Sequence, residues 1–162
     1  MKTLYFLYMD PRTDVVGFEA FTTDFHKFKK ELKKFDLEIK DEKCFLKCGY
    51  EDLDDYLDET RCVAYKFDID ESRRKIYILT ANGDDRYGWD GKVLGVFYTK
   101  GEVKKYIIAE EMEQGLSKED VLDDFQSQDC QESFMSLYDS TFYDWFSFNL
   151  SKILKEGEQN NV

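Results

Sequence analysis

Between Arg61 and Thr80 the chain carries a strict two-residue alternation followed by a turn, and this combination narrows the fold more than any other stretch. Val63, Tyr65, Phe67 and Ile69 alternate with Cys62, Ala64, Lys66 and Asp68, the pattern of a β-strand with one buried face. A four-residue loop, Asp70 to Arg73, then predicts an antiparallel return along Lys75 to Thr80. In that register Phe67 faces Ile76 and Tyr65 faces Ile78 on the inner side, while Asp68 meets Lys75 on the outer side as an attractive pair. A slip of one residue would break all three matches. The expectation is an antiparallel sheet with helices as its cover.

The flanking sequence extends this frame. Lys2 to Met9 reads as a first strand, Asp10-Pro11-Arg12-Thr13 as a type I turn, and Asp14 to Phe21 as the returning strand. Thr22 and Thr23 are N-cap candidates for a helix with Phe25, Phe28, Leu32 and Phe35 on one face and Lys27, Lys29, Lys30, Lys33 and Lys34 on the other. The phenylalanine spacing is more simply a core stripe than a phosphate-contacting surface. Leu37 to Ile39 and Lys43 to Cys48 read as short strands, and Glu51 to Glu59 as an acidic helix buried through Leu53, Tyr56 and Leu57. Ala81 to Gly91 reads as a long loop crowded with Asp84, Asp85, Arg86, Tyr87, Trp89 and Asp90. Val93 to Tyr98 and Val103 to Ala109, around Lys100-Gly101, read as a second hairpin, with a helix over 102 to 114 as the competing assignment.

Three helix signals close the chain. Ser117 caps a helix to about Gln126, with Leu116 and Val121 as a hydrophobic staple. Asp129 with Glu132 marks another start, and Phe142, Trp145, Phe146, Leu150, Ile153 and Leu154 form the stripe of a last helix. The fold class predicted is therefore α+β: one domain over residues 1 to 162, with a helical C-terminal third and a frayed tail from 157 to 162. At 162 residues with 42% hydrophobic and 17% aromatic side chains, such a domain has core enough to fold without disulfides or metal.

Charge and cysteine usage bound the function. The net charge of −12 opposes binding to nucleic acid or to anionic membranes and favours basic protein surfaces. Cys44, Cys48, Cys62 and Cys130 form no Cys-x-x-Cys pair, and with His26 as the one histidine a zinc site is disfavoured; four reduced thiols and no bound metal or cofactor are expected. Met1 to Met9 lacks the cleavage pattern of a leader and no run reaches transmembrane length, so the cytosol is the expected compartment. Little alanine, one proline and abundant Lys, Asp, Glu, Phe and Tyr suggest a coding sequence from a bacterium, phage or mobile element.

No phosphate-binding glycine loop, nucleophile elbow or dinucleotide fingerprint is present. Asp68-Ile69-Asp70-Glu71-Ser72 opens like a calcium loop, but Arg73 stands where glycine is required and Leu79 where glutamate is. One enzymatic reading remains: a divalent-metal phosphoryl-transfer site built from Asp68, Asp70, Asp84, Asp85 and Asp90.

Two acidic helices carry a less common signal. Asp54 with Asp58, Asp55 with Glu59, Glu119 with Asp123, and Asp120 with Asp124 are like-charge pairs at i,i+4, each costing about 0.2 to 0.5 kcal/mol. From Glu110 to Asp144 eleven acidic residues stand against Lys118 alone, a local net charge of −10. Such a string of carboxylates can occupy a basic cleft built for phosphates. The sequence thus points to a non-catalytic acidic protein that inhibits a basic partner, above all a nucleic-acid-processing enzyme, in the manner of toxin-immunity, anti-restriction or anti-CRISPR proteins. Its contact residues would be Asp52, Asp54, Asp55, Asp58, Glu59, Glu119, Asp120, Asp123 and Asp124, with Tyr87 and Trp89 as aromatic anchors. An adaptor whose charge serves only solubility is the third alternative.

Overall fold

Leu4 to Tyr8 is an unbroken run of large apolar side chains, and all five are buried. A strand buried on both faces needs packing above and below its sheet. In the computed structural model this strand, β1 (Lys2–Met9), is the middle of a three-stranded sheet, between β2 (Phe18–Thr22) and β3 (Cys62–Ile69), both antiparallel to it. The structure describes residues 1–9, 17–34, 62–83, 88–128, 132–136 and 138–159. Phe6 stacks on Tyr65 and Phe67 from β3 and on Phe21 from β2. On the opposite face Tyr5 meets Phe25 and Phe28 of helix α1 (Phe25–Lys33). The helix is capped by Asp24, whose carboxylate accepts from the backbone N–H groups of His26 and Lys27. Thr22, expected as a cap, is instead a buried strand residue whose hydroxyl accepts from the Asp24 N–H.

The second sheet has the order β5-β4-β7-β6, with β4 Lys75–Gly83, β5 Gly88–Phe97, β6 Ser133–Met135 and β7 Phe142–Asn149. Helices α2 (Lys100–Glu113) and α3 (Lys118–Ser127) contribute Val103, Ile107, Val121 and Phe125 to one core with Tyr77, Leu79, Phe134, Tyr143 and Trp145 of the sheet. The last helix, α4 (Leu150–Gln159), continues past Gly157 and packs on β2. The chain forms two compact units: Met1–Arg74 with Asn149–Val162, and Lys75–Phe148. The fold is α+β with antiparallel sheets, as the alternating patterns predicted.

Several local assignments are corrected. The turn after β3 forms: Asp70 accepts from the Ser72 N–H at 3.0 Å and its hydroxyl at 2.6 Å. Yet β3 and β4 do not make a hairpin, because β3 pairs along its length with β1, from Lys2↔Ile69 to Met9↔Cys62, while β4 lies between β5 and β7. Asp68 accordingly accepts from the Thr3 hydroxyl at 3.1 Å and does not face Lys75. Residues 103 to 109 are helical because Thr99 and Glu102 close a capping box: the Thr99 hydroxyl accepts from the Glu102 N–H, and the Glu102 carboxylate accepts from the Thr99 N–H. The C-terminal third is interrupted by strands. Phe142 to Asn149 is β7, where Tyr143 and Trp145 alternate into the core, and the helix starts only at Leu150. Of the start expected at Asp129 and Glu132, Asp129 lies outside the described residues, and just after Glu132 the chain forms strand β6, which pairs Phe134 with Tyr143.

The long loop from Ala81 to Gly91 also shortens. β4 runs to Gly83 and β5 resumes at Gly88, its pairing partner, so Trp89 and Asp90 lie on a strand. Tyr87, Asp84 and Asp85 lie outside the described residues, as do the strands expected over 37–39 and 43–48, Cys44, Cys48, Cys130, and the acidic helix with Asp52, Asp54, Asp55, Asp58 and Glu59.

Candidate interaction face

Helix α3 is positioned by two features of its sequence. Ser117 caps it, its hydroxyl accepting from the Asp120 N–H at 3.1 Å, and Val121 and Phe125, four residues apart, are driven into the core. Phe125 stacks on Phe134 with ring centres 4.1 Å apart, which fixes the helix against the sheet. With those two residues inward, Glu119, Asp120 and Asp123 stand exposed and Asp124 half-exposed. Leu116 packs against the same core as Val121, as the staple requires.

Glu119 and Asp120 sit in the first turn, where the helix dipole favours negative charge; Asp123 and Asp124 receive no such help. Among the described residues none of the four has an ion-pair partner. The Asp124 carboxyl is raised above the usual range, by its partial burial first and then by the charges of Asp120, Asp123 and Glu111. On α2, Tyr106 is raised as well, by burial and then by Glu110 and Glu113. The nearby cation Lys104 lies over the Phe125 ring at 5.3 Å, where its ammonium faces the π-cloud.

Not every acid in the 110 to 144 segment contributes surface charge. Glu111 is fully buried. Its carboxyl group accepts from the Ser136 hydroxyl at 2.5 Å and the Tyr143 hydroxyl at 2.9 Å, tying α2 to β7 and to the end of β6. Val103, Ile107 and Glu111 are spaced by four and share the inward face of α2, so a helical reading would have marked Glu111 as buried; the hairpin reading hid it. Asp144 on β7 is half-buried, and that burial pushes its carboxyl up to about 6.

A second link joins α3 to the sheet edge. Gln128, the C-terminal cap residue of α3, donates its side-chain amide to the Met135 carbonyl at 2.8 Å and accepts from the Met135 N–H at 2.9 Å. The acidic helix and the β6–β7 hairpin are thereby one connected element.

Of the carboxylates in the metal-site reading, Asp84 and Asp85 lie outside the described residues. Asp68 and Asp70 belong to one unit and Asp90 to the other, and Asp70 is held by Ser72, whose bonds keep its carboxyl below the usual range. Among the described residues no group of three or more His, Cys, Asp or Glu side chains is arranged to hold a metal ion. His26 is exposed in the first turn of α1. The lysine face of α1 is in part engaged, Lys34 with Glu31 at 2.9 Å and Lys29 over the Phe25 ring, while Phe28 and Leu32 are core. Among the described residues no helix is long and apolar enough to cross a membrane. Comparison with protein-family models, with curated proteins and with solved structures finds no match.

Proposed function

We propose that this chain is a non-catalytic acidic binding protein that inhibits a basic partner, above all a nucleic-acid-processing enzyme, by presenting carboxylates to a cleft built for phosphates. The observation that carries the reading is the outward face of α3. Glu119, Asp120 and Asp123 are exposed with Asp124 beside them, repelling one another at i,i+4 with no ion-pair partner among the described residues. Selection for stability alone would favour lysines at such positions. Exposed carboxylates about 6 Å apart along a rigid helix match the repeat of a charged backbone and steer a cationic surface over the last nanometre of approach.

The test is inhibition of a panel of purified nucleases, comprising restriction enzymes, toxin nucleases and RNA-guided effectors, by the wild type and by D120K/D123K/D124K. The wild type should inhibit at least one member, more weakly as salt rises, and the triple variant should lose inhibition while keeping its fold. If no member is inhibited, or if the triple variant inhibits equally with the same salt dependence, the reading fails. The latter outcome would leave the acidity of α3 as a contribution to solubility.

A further inference from the structure

Three large apolar side chains stand exposed on one hairpin: Met135 at 42%, Tyr138 at 57% and Phe142 at 38%. Met135 and Phe142 are register partners, and Tyr138 lies in the turn that joins their strands. The hairpin is held from several sides. Glu111 accepts from Ser136 and Tyr143, the Ser136 hydroxyl accepts from the Tyr138 N–H at 3.1 Å, and Asp139 accepts from the Thr141 N–H at 3.1 Å. Ser140 adopts a left-handed φ of 62°, which the surrounding bonds hold in place. Groups fixed in advance lose little freedom on binding, so an exposed aromatic here is an economical anchor.

The bonding pattern also decides how a partner can approach. Trp145 donates to the Glu132 carbonyl and Ser136 to the Thr141 carbonyl, so the Ser133 and Met135 backbone groups point away from β7 toward the open edge. Those of Met135 are taken by the Gln128 amide. Strand addition along this edge is therefore blocked at Met135, and contact must be made through side chains. The charge decides what makes that contact. Asp139 follows Tyr138 directly, and Asp124 on α3 is one helical turn, about 6 Å, before Gln128. A second copy would bring the same carboxylates against these and is disfavoured at a net charge of −12. A basic surface is favoured, since its guanidinium groups can stack on Tyr138 while their stems cover Met135 and Phe142.

From this we infer that the β6–β7 hairpin is the apolar anchor of the inhibitory interface, seating against a cationic protein surface that the α3 carboxylates steer into place. The inference rests on the function proposed above and assigns the anchoring role to Met135, Tyr138 and Phe142, in place of the 81 to 91 segment. The experiment uses the full-length protein and the inhibited nuclease from the panel, comparing wild type, D120K/D123K/D124K, Tyr138→Ser and the double variant M135S/F142S. Tyr138→Ser removes a largely exposed ring and should keep the wild-type melting temperature, so its result stands even if the double variant folds poorly. The expected result is at least a tenfold loss of affinity for Tyr138→Ser, carried by faster dissociation with an unchanged salt slope; the charge reversal instead slows association. Tyr138→Ser within twofold of wild type, with the charge reversal still inactive, would overturn the anchor and leave the function standing. Absence of any inhibited nuclease would overturn both. Concentration-dependent dimerisation of the wild type, lost in Tyr138→Ser, would show instead that a second copy covers the hairpin.

Discussion

Replacing Glu111 by Ala should strongly destabilise the unit formed by residues 75 to 148. Ser136 and Tyr143 are at most 1% exposed, so their hydroxyls would lose a buried acceptor with no water to replace it. Each buried donor left in that state costs about 1 to 3 kcal/mol, and the void left by the shortened side chain adds about 1 kcal/mol. Relief from burying a carboxyl group offsets part of this, leaving a loss of about 3 to 4 kcal/mol. Urea unfolding followed by tryptophan fluorescence reads the effect, with Trp145 in the same core as Tyr143. At a urea dependence of about 1 to 3 kcal/mol per molar, the midpoint should fall by about 1 to 4 M. Glu111→Gln, which keeps the volume and one acceptor oxygen, should lose about 1 to 2 kcal/mol. The diagnostic variant is E111L/S136A/Y143F, which removes both donors with the acceptor and should recover most of the stability lost by E111L alone. A loss below 1 kcal/mol for Glu111→Ala, or no recovery in the triple variant, would refute the assignment of these bonds as the link between α2 and the hairpin.

Two further outcomes are expected. Burial raises the Asp144 carboxyl from 3.8 to about 6, so the folded state holds this proton more tightly than the unfolded chain does. Its stabilising contribution is therefore complete below 3.8 and lost as the pH rises through about 6. Asp144→Asn should stabilise the protein at pH 7.5 by roughly 1 kcal/mol, reduced from a ceiling of about 3 by the residue's partial exposure, and should change nothing at pH 4; equal effects at both values would refute it. Thr99→Ala removes the acceptor for the Glu102 N–H and should cost about 1 kcal/mol in urea unfolding, with a value near zero showing that α2 is held by packing alone.

Local chemistry legible in the sequence set the elements whose ends and faces are self-contained. The alternation of Cys62 to Ile69, the strand read over Lys2 to Met9, the Phe28 and Leu32 spacing, and the Ser117 cap with its staple all became the elements they predicted. The i,i+4 carboxylates of α3 were likewise visible, because a helix start and two inward residues determine which side chains face out. Tertiary structure alone decided which strands became neighbours. A period of two specifies a buried face, but backbone hydrogen bonds are the same for any partner, so nothing in residues 62 to 80 could choose β1 over β4. It also decided between helix and strand where aromatic and β-branched residues suit both, making Val103 to Ala109 a helix and Phe142 to Asn149 a strand beside β4. And it sorted the acids. A glutamate reads as a surface charge until a fold supplies two hydroxyl donors inside, which is why Glu111 could be found only once α2 had been placed against Ser136 and Tyr143.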